Sequence, residues 1–139
     1  MKKIVIIFSV SLTLLVLLLI WIISDNKNDT LSRFEDHLRD DNFSFETYEL
    51  NEDNLFNLEL VGKKPVHFRI SEEDSLHVYS YPFNIQAPIA KGSFRAKTET
   101  YDMVSYNLYT INNLFIIYEY NSEIDNVNEE LDNSIKRFN

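Results

Sequence analysis

The sequence predicts an α+β fold: one N-terminal transmembrane helix, then a small domain with a mostly antiparallel sheet of about five strands and two or three helices. Three observations point there. Ile4 to Ile23 is an apolar run without charge, Pro or Gly. Short stretches such as Val66 to Ile70 and Leu76 to Val78 alternate with the period of a strand. Two others, Leu31 to Asp41 and Ser122 to Phe138, carry apolar residues at helical steps.

The apolar run sets the domain organisation. At about 1.5 Å per residue its twenty positions match a hydrocarbon core of about 30 Å. Lys2 and Lys3 flank one end and Trp21 the other, which places the N-terminus in the cytoplasm and the remainder outside. A cleaved signal would need a shorter run and a small-x-small site, whereas Trp21-Ile22-Ile23-Ser24-Asp25 offers none. Residues 1–23 are therefore read as a cytoplasmic stub and signal anchor, 24–30 as a linker, and 31–139 as an extracytoplasmic α+β domain. The expected localisation is the cell membrane, single-pass.

Composition narrows the outer domain. The chain has no Cys, so disulfides, Cys-ligated metals and a lipid-modified Cys are excluded. Ten Phe and eight Tyr supply a core for the remaining residues, about a single domain's worth. The net charge is −9, and Lys2 and Lys3 belong to the inner flank. So acidic a surface repels phosphate backbones, and nucleic acid is not an expected partner.

The elements follow in order. Leu31 to Asp41 reads as a helix with Ser32 and Glu35 as a capping box. Phe43 to Leu50 alternates as a strand, and Leu55 to Val61 is ambiguous between strand and helical turn. Val66 to Ile70 and Leu76 to Val78 form a hairpin around Ser71 to Ser75. Their apolar residues share one side only if even positions pair with even ones. The other face then carries His67, Arg69, His77, Tyr79 and Tyr81. In Tyr81 to Lys97, Pro82, Pro88 and Gly92 break any long helix, which leaves a short helix or a loop crossing the sheet. Val104, Tyr106 and Leu108 line the next strand, and Asn112-Asn113 supplies a two-residue turn. Leu114 to Tyr118 is apolar on both faces, as a strand covered on both sides should be. The last helix opens at Ser122, with Ile124, Val127, Leu131, Ile135 and Phe138 as its apolar stripe.

Catalytic patterns are missing. No Ser sits in a G-x-S-x-G elbow, Gly62 and Gly92 are too far apart for a phosphate loop, and no H-E-x-x-H or H-x-H occurs. The chain is read as a non-enzyme without a cofactor. One arrangement remains: the hairpin register puts His67 and His77 within reach of one divalent metal ion, with Glu72, Glu73 or Asp74 as a third ligand. Beside them Arg69, Tyr79 and Tyr81 form a ligand or partner surface, since Tyr offers flat contact area at low entropic cost. The plainer alternatives are two exposed imidazoles without a role on a polar sheet face and, for the tyrosines, a face covered by the Tyr81 to Lys97 crossover.

Gly62-Lys63-Lys64-Pro65 with the paired strands, and Tyr101 to Tyr120 with Tyr109, Asn113 and Phe115, resemble small membrane-anchored or lipoprotein-like proteins of Bacillus-type bacteria. The resemblance covers about half the chain and implies an envelope location but no activity. This chain departs from that pattern in lacking a lipobox Cys and in carrying Pro88 and Gly92 between the strand pairs. The function expected is a membrane-anchored extracytoplasmic interaction module of the bacterial envelope, its partner another envelope protein. The alternative is a metal- or small-ligand-binding envelope protein using His67, His77, Tyr79 and Tyr81.

Overall fold

A computed structural model describes residues 14–16, 30–120 and 127–138. Of the apolar run only residues 14–16 are described, as helix. The rest of the expected anchor and residues 24–29 of the expected linker therefore lie outside the described residues, as do Ser122 and Ile124, whereas residue 30, assigned to the linker, is already helical. Among the described residues no helix is long and apolar enough to cross a membrane.

The domain is α+β, with a five-stranded antiparallel sheet in the order β1-β2-β3-β5-β4. The strands are β1 (Glu46–Tyr48), β2 (Val66–Arg69), β3 (Asp74–Ser80), β4 (Tyr106–Ile111) and β5 (Leu114–Tyr120). The helices are α1 (30–40), α2 (Gln86–Thr98) and α3 (Glu129–Arg137).

Strand alternation divides the core into two. One set, with Phe68, Leu76, Val78, Ile116 and Tyr118 from the sheet, meets Phe34 and Leu38 of α1 and Leu131 and Ile135 of α3. The other, with Tyr79, Tyr81, Phe115 and Ile117, meets Phe56, Leu60 and the α2 residues Ala87, Ala90 and Phe94. The sheet is thus enclosed between α1 and α3 on one side and α2 on the other. Burying each large apolar side chain contributes about 1.5–3 kcal/mol, which is what a Cys-free domain of this size relies on.

The register is the expected even-to-even one: Val66 faces Val78 and Phe68 faces Leu76. β5 has neighbours on both edges and is buried on both faces from Leu114 to Tyr118. Between β4 and β5 the turn takes one left-handed residue, Asn112 at φ 53°, and the Asn113 amide donates to the Tyr81 carbonyl.

Several boundaries differ from expectation. Of the strand expected over Phe43 to Leu50 only Glu46–Tyr48 pairs, and β3 begins at Asp74, inside the expected turn. Helix α1 already includes residues 30 and 31, so Ser32 is not its cap. Helix α3 is described from Glu129, where the Asn128 side chain accepts from the Leu131 N–H at 3.1 Å; Val127, Leu131, Ile135 and Phe138 do line the core. Val104 precedes β4 and is exposed. The largest difference is α2, an unbroken helix of 13 residues. Pro88 is its third residue, where the missing N–H has no intrahelical acceptor to lose. Gly92 weakens the helix by about 1 kcal/mol relative to Ala, less than the burial of Phe94 returns.

Candidate functional site

The β2–β3 register sets His67 directly opposite His77, on the α2 side of the sheet. Both are buried, His77 completely. His67 Nδ1 lies 2.9 Å from His77 Nδ1. On one side, His77 Nε2 lies 2.9 Å from Glu119 Oε2, brought alongside by the β3–β5 pairing. On the other, His67 Nε2 lies 3.3 Å from Asn57 Oδ1. The four side chains thus form a line, buried at the two imidazoles and partly exposed at its Asn57 and Glu119 ends.

Asn57 belongs to a single 3₁₀ turn, Leu55–Asn57, capped by Asn54, whose side chain accepts from the Phe56 N–H at 2.8 Å. Its amide nitrogen donates to the carbonyls of Leu50 and Asn51 at 2.9 and 3.2 Å, so its orientation is fixed and its oxygen faces His67. Phe56 of the same turn stacks on His77 with ring centroids 4.7 Å apart. Burial and the charge of His77 hold the His67 imidazolium down to a pKa of about 4, against the partial opposition of Glu119.

The predicted residues divide on this geometry. His67 and His77 do meet, but their facing nitrogens are spent on each other. Among the described residues no group of three or more His, Asp and Glu is placed to hold a metal ion. Asp74, one expected third ligand, accepts instead from the Tyr118 hydroxyl at 2.5 Å. Tyr79 and Tyr81 are fully buried and do not form a surface. Their hydroxyls donate to the carbonyls of Leu58 and Leu60 at 2.8 and 3.0 Å, riveting the 55–61 segment onto the sheet. Burial raises both phenol pKa values. Arg69 alone of that trio is exposed; it donates to Glu46 at 3.2 Å and lies over the Tyr48 ring. For the tyrosines the plainer alternative, a covered face, is what the structure has, whereas the plainer reading of the imidazoles as exposed is corrected: both are buried because the same cover lies over them.

Sequence reasoning missed Asn57, Phe56 and Glu119. For Glu119 a signal exists: it is a carboxylate at the end of a strand apolar on both faces, which calls for a buried partner. Asn57 and Phe56 sit in a one-turn element too short for periodicity to mark.

A second feature is the outer side of α2. Ile85 and Ile89 are 69% and 54% exposed, and Phe83 just before them is 54% exposed. Gly92 and Ala96 continue that face. Arg95 stands beside it and is exposed, whereas Lys91 and Lys97 donate to the carbonyls of Leu108 and Glu59 at 3.3 and 3.1 Å; no Asp or Glu occurs between Tyr81 and Thr98, in a chain of net charge −9.

A small α+β domain with its sheet enclosed between helices, a buried imidazole pair and one apolar, cationic helix face is the class these features define. Neither the known protein families, nor the curated proteins, nor the solved structures gave a match to the chain.

Proposed function

We propose that the protein is a non-enzymatic, single-pass membrane-anchored interaction module of the bacterial envelope, which takes its partner on the outer side of α2. The observation that carries this is where the large exposed apolar residues lie. Within residues 30–120 and 127–138 they are Val61, Phe83, Ile85, Ile89, Tyr101 and Val104, and all but Val61 fall within residues 83–104. Elsewhere both sheet faces are covered, so a partner finds little other apolar surface.

Charge states the partner's chemistry. Exposed Arg95, on a helix without an acid in an otherwise acidic chain, complements an acidic protein surface. Layer order bears on the bilayer as a rival occupant. The proposed tether precedes α1 in sequence, and α2 lies on the opposite face of the sheet, so a domain resting on its α1 side presents α2 away from the lipid. Tethering then raises the effective concentration at an envelope partner without demanding high affinity.

The test compares full-length protein purified from membranes, wild type against an Ile85→Ser/Ile89→Ser variant. An acidic envelope protein recovered with the wild type and lost with a variant of unchanged melting temperature supports the proposal. Equal recovery by both, or a C-terminus shielded from protease added to intact spheroplasts, contradicts it.

A further inference from the structure

We propose that the His67–His77 pair is a one-proton site: it binds a single proton beyond two neutral imidazoles, held on His77, and this proton latches the 55–57 turn onto the sheet. The inference is independent of the docking proposal.

Proton counting carries it. The line Asn57–His67–His77–Glu119 has three contacts and an acceptor at each end, since the Asn57 oxygen is fixed by its amide's two bonds and Glu119 presents a carboxylate oxygen. Three hydrogen bonds need three protons on four ring nitrogens. Two neutral rings bring only one each. The count closes when His77 donates from both nitrogens, to Glu119 and to His67 Nδ1, and neutral His67 donates from Nε2 to Asn57. Without the third proton two lone pairs face each other inside the protein and one buried hydrogen bond goes unmade.

Two further contacts select the same state. Glu119 is the counter-ion of a His77 that is fully buried. Phe56 lies flat on the His77 ring, with planes 12° apart, where an aromatic face favours a cation. Phe56 and Asn57 are neighbours in one turn, so the proton strengthens both attachments of that turn together. The other titratable or charged groups around the pair are Tyr48 from β1, whose ring centroid is 5.7 Å from that of His67, Arg69 from β2, and Tyr106 from β4, edge-on to Phe56. From α2 the pair's cover receives Phe94, which carries no charge. Glu119 is the carboxylate in direct contact with either ring.

Glu119→Gln separates the proton from the fold. A glutamine amide donates to His77 Nε2, His77 donates from Nδ1, and every contact is satisfied with two neutral rings. The experiment records ¹⁵N signals of the ring nitrogens in the full chain in detergent micelles, together with amide exchange of residues 55–61, from about pH 6 to about pH 9. Expected at pH 6 are a doubly protonated His77, a His67 protonated at Nε2, and exchange protection of the turn that falls as the proton leaves. In Glu119→Gln, His77 becomes singly protonated and the protection becomes independent of pH. Two neutral rings in the wild type at pH 6 overturn the proposal. So does equal pH dependence in both proteins, or a shift of both imidazoles on adding zinc. If the variant fails to fold, the wild-type ring signals alone decide.

Discussion

The Phe56 ring lies parallel to the His77 imidazole, 4.7 Å away, and links the 55–61 cover to the centre of the sheet. Phe56 also meets Phe94 of α2 and Tyr106 of β4, so one side chain joins three parts of the α2-side core. Phe56→Ala should destabilise the domain by about 3–5 kcal/mol. Phe56→Leu retains most of the apolar volume but removes the stack, and should cost about 1 kcal/mol beyond the change in buried area. Urea unfolding of both variants checks the ranking.

His67 gives the acid side of the stability profile. Its folded pKa of about 4 lies below the ordinary value of 6.5, so the unfolded chain takes up a proton first as pH falls. The stability at stake is fully present above about pH 6.5 and is lost progressively toward pH 4, amounting to about 3 kcal/mol. His67→Gln removes this titration, and its urea midpoint should change less than that of the wild type between pH 7 and pH 4.5. Together with the proposed latch this gives an optimum: one proton on the pair is favoured over two, and over none.

Gly92 sits in the middle of α2 with helical neighbours on both sides, and a Cβ built there meets nothing within 4 Å. Gly92→Ala should therefore stabilise the free protein by about 0.5–1 kcal/mol. The same methyl group stands on the outer apolar face, where it obstructs a partner backbone approaching closely. Higher melting temperature with weaker partner recovery is the expected pair of outcomes, and a gain in both would contradict close approach at this position.

Val61 is held at φ 50° beside Gly62 at φ 70°, in the turn that pairs Leu60 with Lys63. A β-branched residue is strained there, and Asn tolerates that conformation better. Val61 is exposed, so Val61→Asn loses little burial and should raise stability by about 1 kcal/mol. Differential scanning calorimetry reads the shift.

Much of this fold was legible where periodicity has room to act. The hairpin register follows from Val66, Phe68, Leu76 and Val78 sharing a side, and that register alone brings His67 opposite His77. The two-sided apolar pattern from Leu114 to Tyr118 announced a strand with cover on both faces. Alternation tells which residues share a face but not what lies over it, so Tyr79 and Tyr81 read as surface although Leu58 and Leu60 accept their hydroxyls. Helix α2 was obscured because Pro88 is disruptive only beyond the first turn, and because its start carries no side-chain cap on Ile85 but a less familiar bond from the Phe83 N–H to the Gln86 side chain at 3.2 Å. Glu119 depended on a long-range pairing with β3 that no local spacing encodes.

Photo-cross-linking in intact cells tests the docking proposal most directly, with the reactive residue placed at position 89 of the full-length protein and, as control, at Glu130 on α3 across the sheet. Cross-links from position 89 to an acidic envelope protein, absent from position 130, are the expected result. Cross-links from position 89 to lipid alone, or the same adducts from both positions, contradict a protein partner on the outer face of α2.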